Sequence, residues 1–379
     1  MDLKRFSTRR TPFYTYDSAL LRQTLSAIRA ATADTPHFHV HYAVKACATP
    51  GVLRIISESG LGADCVSGGE IERAADCGFS PSDIVFAGVG KSDIEIEIAL
   101  ELGISCFNVE SLPELEVINA LASARGKIAN VAFRINPNVD AHTHAKITTG
   151  LNENKFGLAM EDMIPAIHRA QELPAVRYVG LHFHIGSQIT DLEPFEQLAQ
   201  RVNELQNRLD AAGIKTESIN IGGGLGVDYT QPEANPIPDF DSYFRIFKDH
   251  LQLRDGQQVH FELGRSVVAQ CGALISRVLY VKHGHKKDFV IVDAGMSDLL
   301  RPALYGSAHQ ARNLSHPEAP SARFDIVGPI CESSDVFLSD YTLPSPQRGD
   351  LIAFKSAGAY GEIMASGYNC RQLPESWID

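Results

Sequence analysis

Between Phe38 and Arg265 about eight short apolar strands recur, and most end in a residue able to do chemistry. They read HFHVHYAVKA, GADCVS, IVFAGVG, SCFNVES, VAFRINP, YVGLHFHIGSQ, SINIGGG and VHFELGR, with helix-like stretches between them. A strand–helix unit repeated this often predicts a closed parallel (β/α)8 barrel, whose strand ends meet on one face. Lys45, His184, the run Gly222–Gly224 and Glu262 can then converge, although they are far apart in sequence.

Past Arg265 the beat stops. Runs such as DFVIVDAGM, FDIVGPI, DVFLSDYTL and DLIAFKSAGAY alternate like strands, with turns between and little helical period. The expected organisation is a barrel over 22–269 and a β domain made of 270–379 with the N-terminal strand segment 1–21. Two segments need a decision. SDIEIEIALEL (92–102) alternates like a strand, but Ser92 and Glu95 form a capping-box pattern and Gly103 a stop, so it reads as helix. Thr190 and Glu193 carry the same pattern, which predicts a helix over 190–212. The loop over 136–158 is too long for a plain connection and reads as an ordered lid or substrate wall.

Charge narrows the partners. Lys+Arg 34 against Asp+Glu 46 gives a net charge of −12, the wrong sign for nucleic acid or an anionic membrane. The 7 cysteines are odd in number and show no CxxC pair, which argues against a disulfide framework and for a reducing compartment. MDLKRFSTRR leads into no apolar core, and no stretch reaches the ~18 apolar residues of a membrane span, so a cytoplasmic protein is expected.

Lys45 stands where a barrel strand delivers its side chain to the catalytic face. Desolvation there lowers an amine's pKa and fits it for Schiff-base chemistry. Taken alone it is more often an ordinary strand-end lysine. Gly222, Gly223 and Gly224 change the balance, because backbone N–H groups of such a run can approach a phosphate after the seventh strand. A lysine and a phosphate cradle in one mouth point to pyridoxal 5′-phosphate. Glu262 could then face the pyridine nitrogen, His184 lie flat on the ring and Ser187 reach the phosphate. The plainer alternative makes Glu262 a strand-end partner of Arg265. His37, His39 and His41 invite a metal, but their spacing strings them along the strand without a fourth ligand, so no metal site is expected. Cys331, followed by Glu332, Ser333, Ser334 and Asp335, sits in an odd setting for core and reads as an exposed thiol at a site.

The motifs YAVKA, HTHAKITTG with KFG, HFHIGSQ, IGGGLG, ELGR, RPALY, CESSD and AGAYGE run in one order over nearly the whole chain. In that order they resemble the fold-type III pyridoxal-phosphate decarboxylases, and within them the diaminopimelate decarboxylases. The resemblance implies an alanine-racemase-like barrel with a β domain, and a head-to-tail homodimer with shared sites. It implies conversion of meso-2,6-diaminopimelate to L-lysine and carbon dioxide, the last step of lysine biosynthesis. Carried over, Lys45 is the Schiff-base lysine, His184 stacks on the cofactor and Glu262 meets its ring nitrogen. Gly222–Gly224, Ser187, Gly264, Arg265 and Tyr360 contact the cofactor; Arg265, Arg301, Tyr305 and Tyr360 take the substrate. Cys331 would donate a proton, and Glu332 would read the far amine, both in the neighbouring subunit's site. Leu263, Cys47 and Ser334 depart from the usual pattern at positions without a chemical role. The other readings are a decarboxylase or racemase of another amino acid on this fold, and a non-catalytic cofactor-binding regulator.

Overall fold

The structure is a computed structural model and describes residues 6–140 and 155–379. Most of the long loop, with His142 and His144, lies outside the described residues. The chain forms two compact units, one of Leu25–Gly226 with Asp239–Gly264, the other of Met1–Thr24, Val227–Pro238 and Arg265–Asp379.

After the N-terminal strand β1 (Phe13–Tyr16), eight strands build the first unit: β2 (Phe38–Ala43), β3 (Gly62–Cys65), β4 (Ile84–Phe86), β5 (Cys106–Val109), β6 (Ala129–Arg134), β7 (Val176–His182), β8 (Ser218–Asn220) and β9 (Gln258–Leu263). They pair in parallel in sequence order, and β2 pairs with β9 to close the barrel. The expected beat is borne out. Helices cover the outside of such a barrel, so its strands are buried on both faces and read as short apolar runs; β3 and β4 are buried throughout.

One local device recurs at the turns after the strands. The Ser67 side chain accepts from Glu70 N and that of Ser111 from Glu114 N, each capping a helix. The acids answer: Glu70 accepts from Val66 N at 2.8 Å and Glu114 from Glu110 N at 2.9 Å. At Ser92 the acid Glu95 accepts from the cap residue's own N–H, a capping box, and Asp93–Leu102 is a helix ended by Gly103 in the left-handed region at φ 70. The helix expected from Thr190 starts instead at Glu193 and runs to Ala211, without a side-chain cap. Pro194 fixes its first turn, and Asp191 rather than Thr190 accepts from Glu193 N. This helix and Phe240–His250 pack aromatic rings on the barrel, Phe195 against Tyr243 and Phe247 against Phe261.

The histidine row goes elsewhere than to Lys45. His41 Nε2 lies 2.9 Å from His260 Nδ1, and His260 stacks on His39. Burial lowers the pKa of both His41 and His260, the latter to about 3, because an imidazolium there would lose its water. An unfolded histidine takes its proton near pH ~6.5. Below that point the unfolded chain binds more protons, so stability is full above it and drains away as pH falls toward the folded value. The expected result is that Tm falls less steeply from about pH 7 to about pH 5 in His260→Asn than in the parent. Equal slopes would remove His260 as a source of acid sensitivity.

The second unit is an eight-stranded sheet. It holds β10 (Gly272–His283), β11 (Asp288–Val292), β12 (Ala311–Asn313), β13 (Ser321–Val327), β14 (Val336–Pro344), β15 (Leu351–Phe354) and β16 (Glu375–Ile378). The order is β12-β15-β10-β11-β13-β14, and β1 joins by pairing with β10 and β16. The chain's first strand therefore belongs to the β domain, as its sequence implied. No helix among the described residues is long and apolar enough to cross a membrane.

Candidate active site

In the barrel, β2 ends in a single 3-10 turn, Val44–Ala46, held by a hydrogen bond from Tyr42 Oη to the Cys47 carbonyl. That turn presents Lys45, whose Nζ donates to Asp64 Oδ2 at 3.3 Å from the end of β3. The lysine side chain is 39% exposed and that of Asp64 fully buried, so the amine stands at the rim over an enclosed carboxyl. Burial first, then the charge of Glu262, raises the Asp64 pKa against the pull of Lys45. Asp64 can therefore hold a proton that a neutral lysine amine has given up.

Glu262 lies deeper, near the end of β9, and three strands serve it. Asn108 Nδ2 and Asn220 Nδ2 donate to Oε1 at 3.1 and 2.7 Å, and His182 Nε2 lies 3.0 Å from Oε2. Burial would raise this carboxyl, but the charge and hydrogen bond of His182, then the charge of Lys45, outweigh it and hold it well below the usual range. Of these two buried carboxyls, Glu262 is pushed toward the ionised form and Asp64 toward the protonated one. The plain pairing of Glu262 with Arg265 is corrected: its partners are these strand neighbours.

His184 follows β7, and its Nδ1 accepts from Gly223 N at 3.3 Å, which puts the ring proton on Nε2. Burial, then the charges of Arg134 and Lys45, hold it far below the ordinary histidine value, so the ring is neutral. A Cβ on Gly222 would lie 2.1 Å from the Phe183 carbonyl, and one on Gly223 2.0 Å from that of Glu262. No side chain fits between the ends of β7 and β9, so the run must expose bare backbone. Ser187 is half-buried in the loop after β7, and Gly264 is buried after β9. Arg134 Nη1 donates to Glu110 Oε1, whose Oε2 accepts from Gly157 N and so ties down the KFG end of the long loop.

The second unit gathers its own set. Arg265 opens the short helix Arg265–Val268 and Arg301 the helix Arg301–Tyr305. Their guanidinium carbons lie 4.9 and 5.9 Å from the Tyr360 ring, and Arg301 lies 5.8 Å from Tyr305. Tyr360 adopts φ 56, a left-handed backbone rare for an aromatic residue and a mark of functional positions. Arg301 is buried, yet it forms no ion pair among the described residues; apart from the tyrosine rings around it, its guanidinium donates there to the Ser307 hydroxyl at 3.1 Å. Cys331 and Glu332 are exposed in the turn between β13 and β14; Cys331 N donates to Asn369 Oδ1, and Glu332 accepts from the Tyr368 hydroxyl.

Sequence reasoning did not assign Asp64, Asn108, Asn220 and Glu110 to the site, nor Tyr229 and His309 beside the arginines. The legible signal was a polar residue near the end of an otherwise apolar strand, and Asp64 and His182 show it.

A rim lysine, a buried ionised carboxylate, a neutral flat imidazole and a glycine backbone suit a pyridoxal phosphate. Glu262 supports this directly, because a carboxylate has about four acceptor positions and three are filled from within the barrel, which leaves one for a ring N–H. Residues 21–269 match the pyridoxal-binding domain of the pyridoxal-dependent decarboxylases. The chain is 61% identical to the diaminopimelate decarboxylase of Bacteroides thetaiotaomicron, covering 99% of this chain and 97% of that one. Identity to the enzyme of that name from Pseudomonas aeruginosa is 45%, over 95% and 86% of the two chains. The structure of diaminopimelate decarboxylase from Helicobacter pylori, solved with L-lysine, superposes with a TM-score of 0.93 at 42% identity, covering 99% of this chain and 93% of that one. The fold and the relatives are those of a pyridoxal-phosphate-dependent carboxy-lyase. Within that class, the chain belongs to the diaminopimelate decarboxylase family.

Proposed function

We propose that the protein converts meso-2,6-diaminopimelate to L-lysine and carbon dioxide in the cytoplasm, as a head-to-tail homodimer. Arg301 carries the substrate assignment: a buried guanidinium without an ion pair among the described residues suits an incoming carboxylate, which it can grip in a bidentate fork. Ornithine has an ammonium at that end, which the arginine would repel. The seven free cysteines, two of them exposed, fit a reducing compartment.

Bound pyridoxal phosphate supplies the electron sink for the pair left behind when carbon dioxide departs. The chain's own residues do the rest. Lys45 would hold the cofactor covalently through Nζ, once that amine has passed its proton to Asp64 Oδ2. Glu262, kept toward its ionised form, would hold the proton on the ring nitrogen. His184 would lie against the ring as a neutral body, and Gly222–Gly224 with Ser187 and Gly264 would hold the phosphate. Arg265 and Tyr360 would line both cofactor and substrate, and Arg301 and Tyr305 would fix the carboxylate that is kept. Cys331 Sγ gives its proton to the carbon that has lost carbon dioxide, while Glu332 reads the far amine. Both reach the site from the other subunit. Their exposure supports this, as do the exposed side chains of Ile363, Tyr368 and Leu373 on the same unit, apolar surface that a partner would cover.

The experiment is carbon dioxide release from meso-diaminopimelate, ornithine and arginine by the purified holoenzyme. Turnover of diaminopimelate alone is expected. Arg301→Leu should lower kcat/KM for it at least about a hundredfold, since stripping one partner from a buried ion pair costs ~3–5 kcal/mol. Cofactor absorbance should stay unchanged. Undiminished turnover would take Arg301 out of substrate recognition.

A further inference from the structure

Two guanidiniums in one small space repel each other, so something must hold Arg265 and Arg301 in place before a carboxylate arrives. Tyr229 is placed to do it. Its hydroxyl accepts from Arg265 Nη1 at 2.7 Å, its ring lies 5.9 Å from the Arg265 guanidinium carbon, and the same ring lies 5.5 Å from that of Arg301. One side chain therefore offers its π face to both cations and an oxygen acceptor to one of them. Its ring edge meets His309 at 5.2 Å between centroids. His309 is buried with Nδ1 bonded to the Lys355 carbonyl, and burial, then the two arginines, hold it neutral with a pKa near about 3. His309 thus adds no charge beside Tyr229.

The backbone that carries Tyr229 is itself fixed. Asp228 Oδ1 accepts from the backbone N–H groups of Thr230 and Gln231 at 2.8 Å, and its Oδ2 accepts from Asn235 Nδ2 at 3.0 Å. Gln270 Nε2 donates to the Asp228 carbonyl, and the Ser356 hydroxyl donates in turn to Gln270 Oε1. A segment that leaves the barrel run in sequence, Val227–Pro238, is in this way fastened within the second unit beside the arginines it serves.

We propose that Tyr229 is a positioning residue for substrate specificity, which sets the spacing and direction of Arg265 and Arg301 so that they read the carboxylate the reaction keeps. The inference rests on the reading of Arg301 given above and extends it to the residue that holds both arginines. Tyr229→Phe removes the acceptor and keeps the ring; Tyr229→Leu removes both.

The probes are L-lysine and cadaverine, which differ only in that carboxylate, used as inhibitors of the holoenzyme. With Tyr229→Phe the inhibition constant of L-lysine should rise about tenfold, and with Tyr229→Leu about a hundredfold, while that of cadaverine moves less than about twofold. KM for meso-diaminopimelate should follow L-lysine, and kcat should change far less. Arg301→Leu is the control for the underlying reading. If it leaves L-lysine inhibition unchanged, the carboxylate assignment of Arg301 fails, and the role of Tyr229 with it. If Arg301→Leu abolishes the preference for L-lysine but neither Tyr229 variant weakens it, only the inference about Tyr229 falls. A parallel loss of affinity for L-lysine and cadaverine in both Tyr229 variants would assign the residue to general structure and overturn the proposal as well.

Discussion

Lys45→Ala should lose turnover by about a thousandfold or more and should fail to acquire the visible absorbance that the parent protein takes on with pyridoxal phosphate. The argument starts at the amine. Nζ sits 3.3 Å from a carboxyl that burial and Glu262 predispose to hold a proton, so the lysine can be unprotonated without leaving an ammonium at the rim. Alanine removes nucleophile and proton carrier together. Lys45→Arg separates charge from nucleophilicity, because a guanidinium can still pair with Asp64 but does not deprotonate at working pH. The arginine variant should therefore fail in the same two assays while remaining folded. Colour and turnover retained in either variant would take Lys45 out of the chemistry.

The parts of this protein that were legible in its sequence are those set by local periodicity. Eight apolar runs with helices between them dictate a closed barrel, because each strand must be buried on both faces. The capping pattern at Ser92 and Glu95 correctly overrode a strand-like alternation, since two reciprocal hydrogen bonds and a left-handed Gly103 favour the helix. The same pattern misled at Thr190, where Pro194 moved the start of the helix. At the site, Lys45, His184 and Glu262 were legible because strand ends in a barrel share one face. The support under Glu262 was not. Asn108, Asn220 and His182 stand on three other strands, and only barrel closure brings them to one carboxylate. Tyr229 was hidden for a related reason: a stretch that follows the glycine run in sequence packs with the sheet unit, which no local rule shows.

Mixing two inactive proteins should restore activity if each site draws on two chains. Lys45 belongs to the barrel and Cys331 to the sheet unit, where the thiol is exposed and beside it Glu332 takes a hydrogen bond from Tyr368 at 2.6 Å. A proton donor that stands in solvent in a single chain protects no reacting carbon from water, whereas a partner's barrel mouth would enclose it. In a two-fold dimer of Lys45→Ala with Cys331→Ala, one site collects both lesions and the other has neither. Random exchange makes half of the dimers mixed, each with one intact site, so the mixture should recover about a quarter of parental activity. Exchange has to be forced by mild denaturation and refolding, and its extent measured with differently tagged chains, because a large interface holds its subunits together. With exchange demonstrated, activity no higher than that of the separate variants would mean that Cys331 serves the barrel of its own chain.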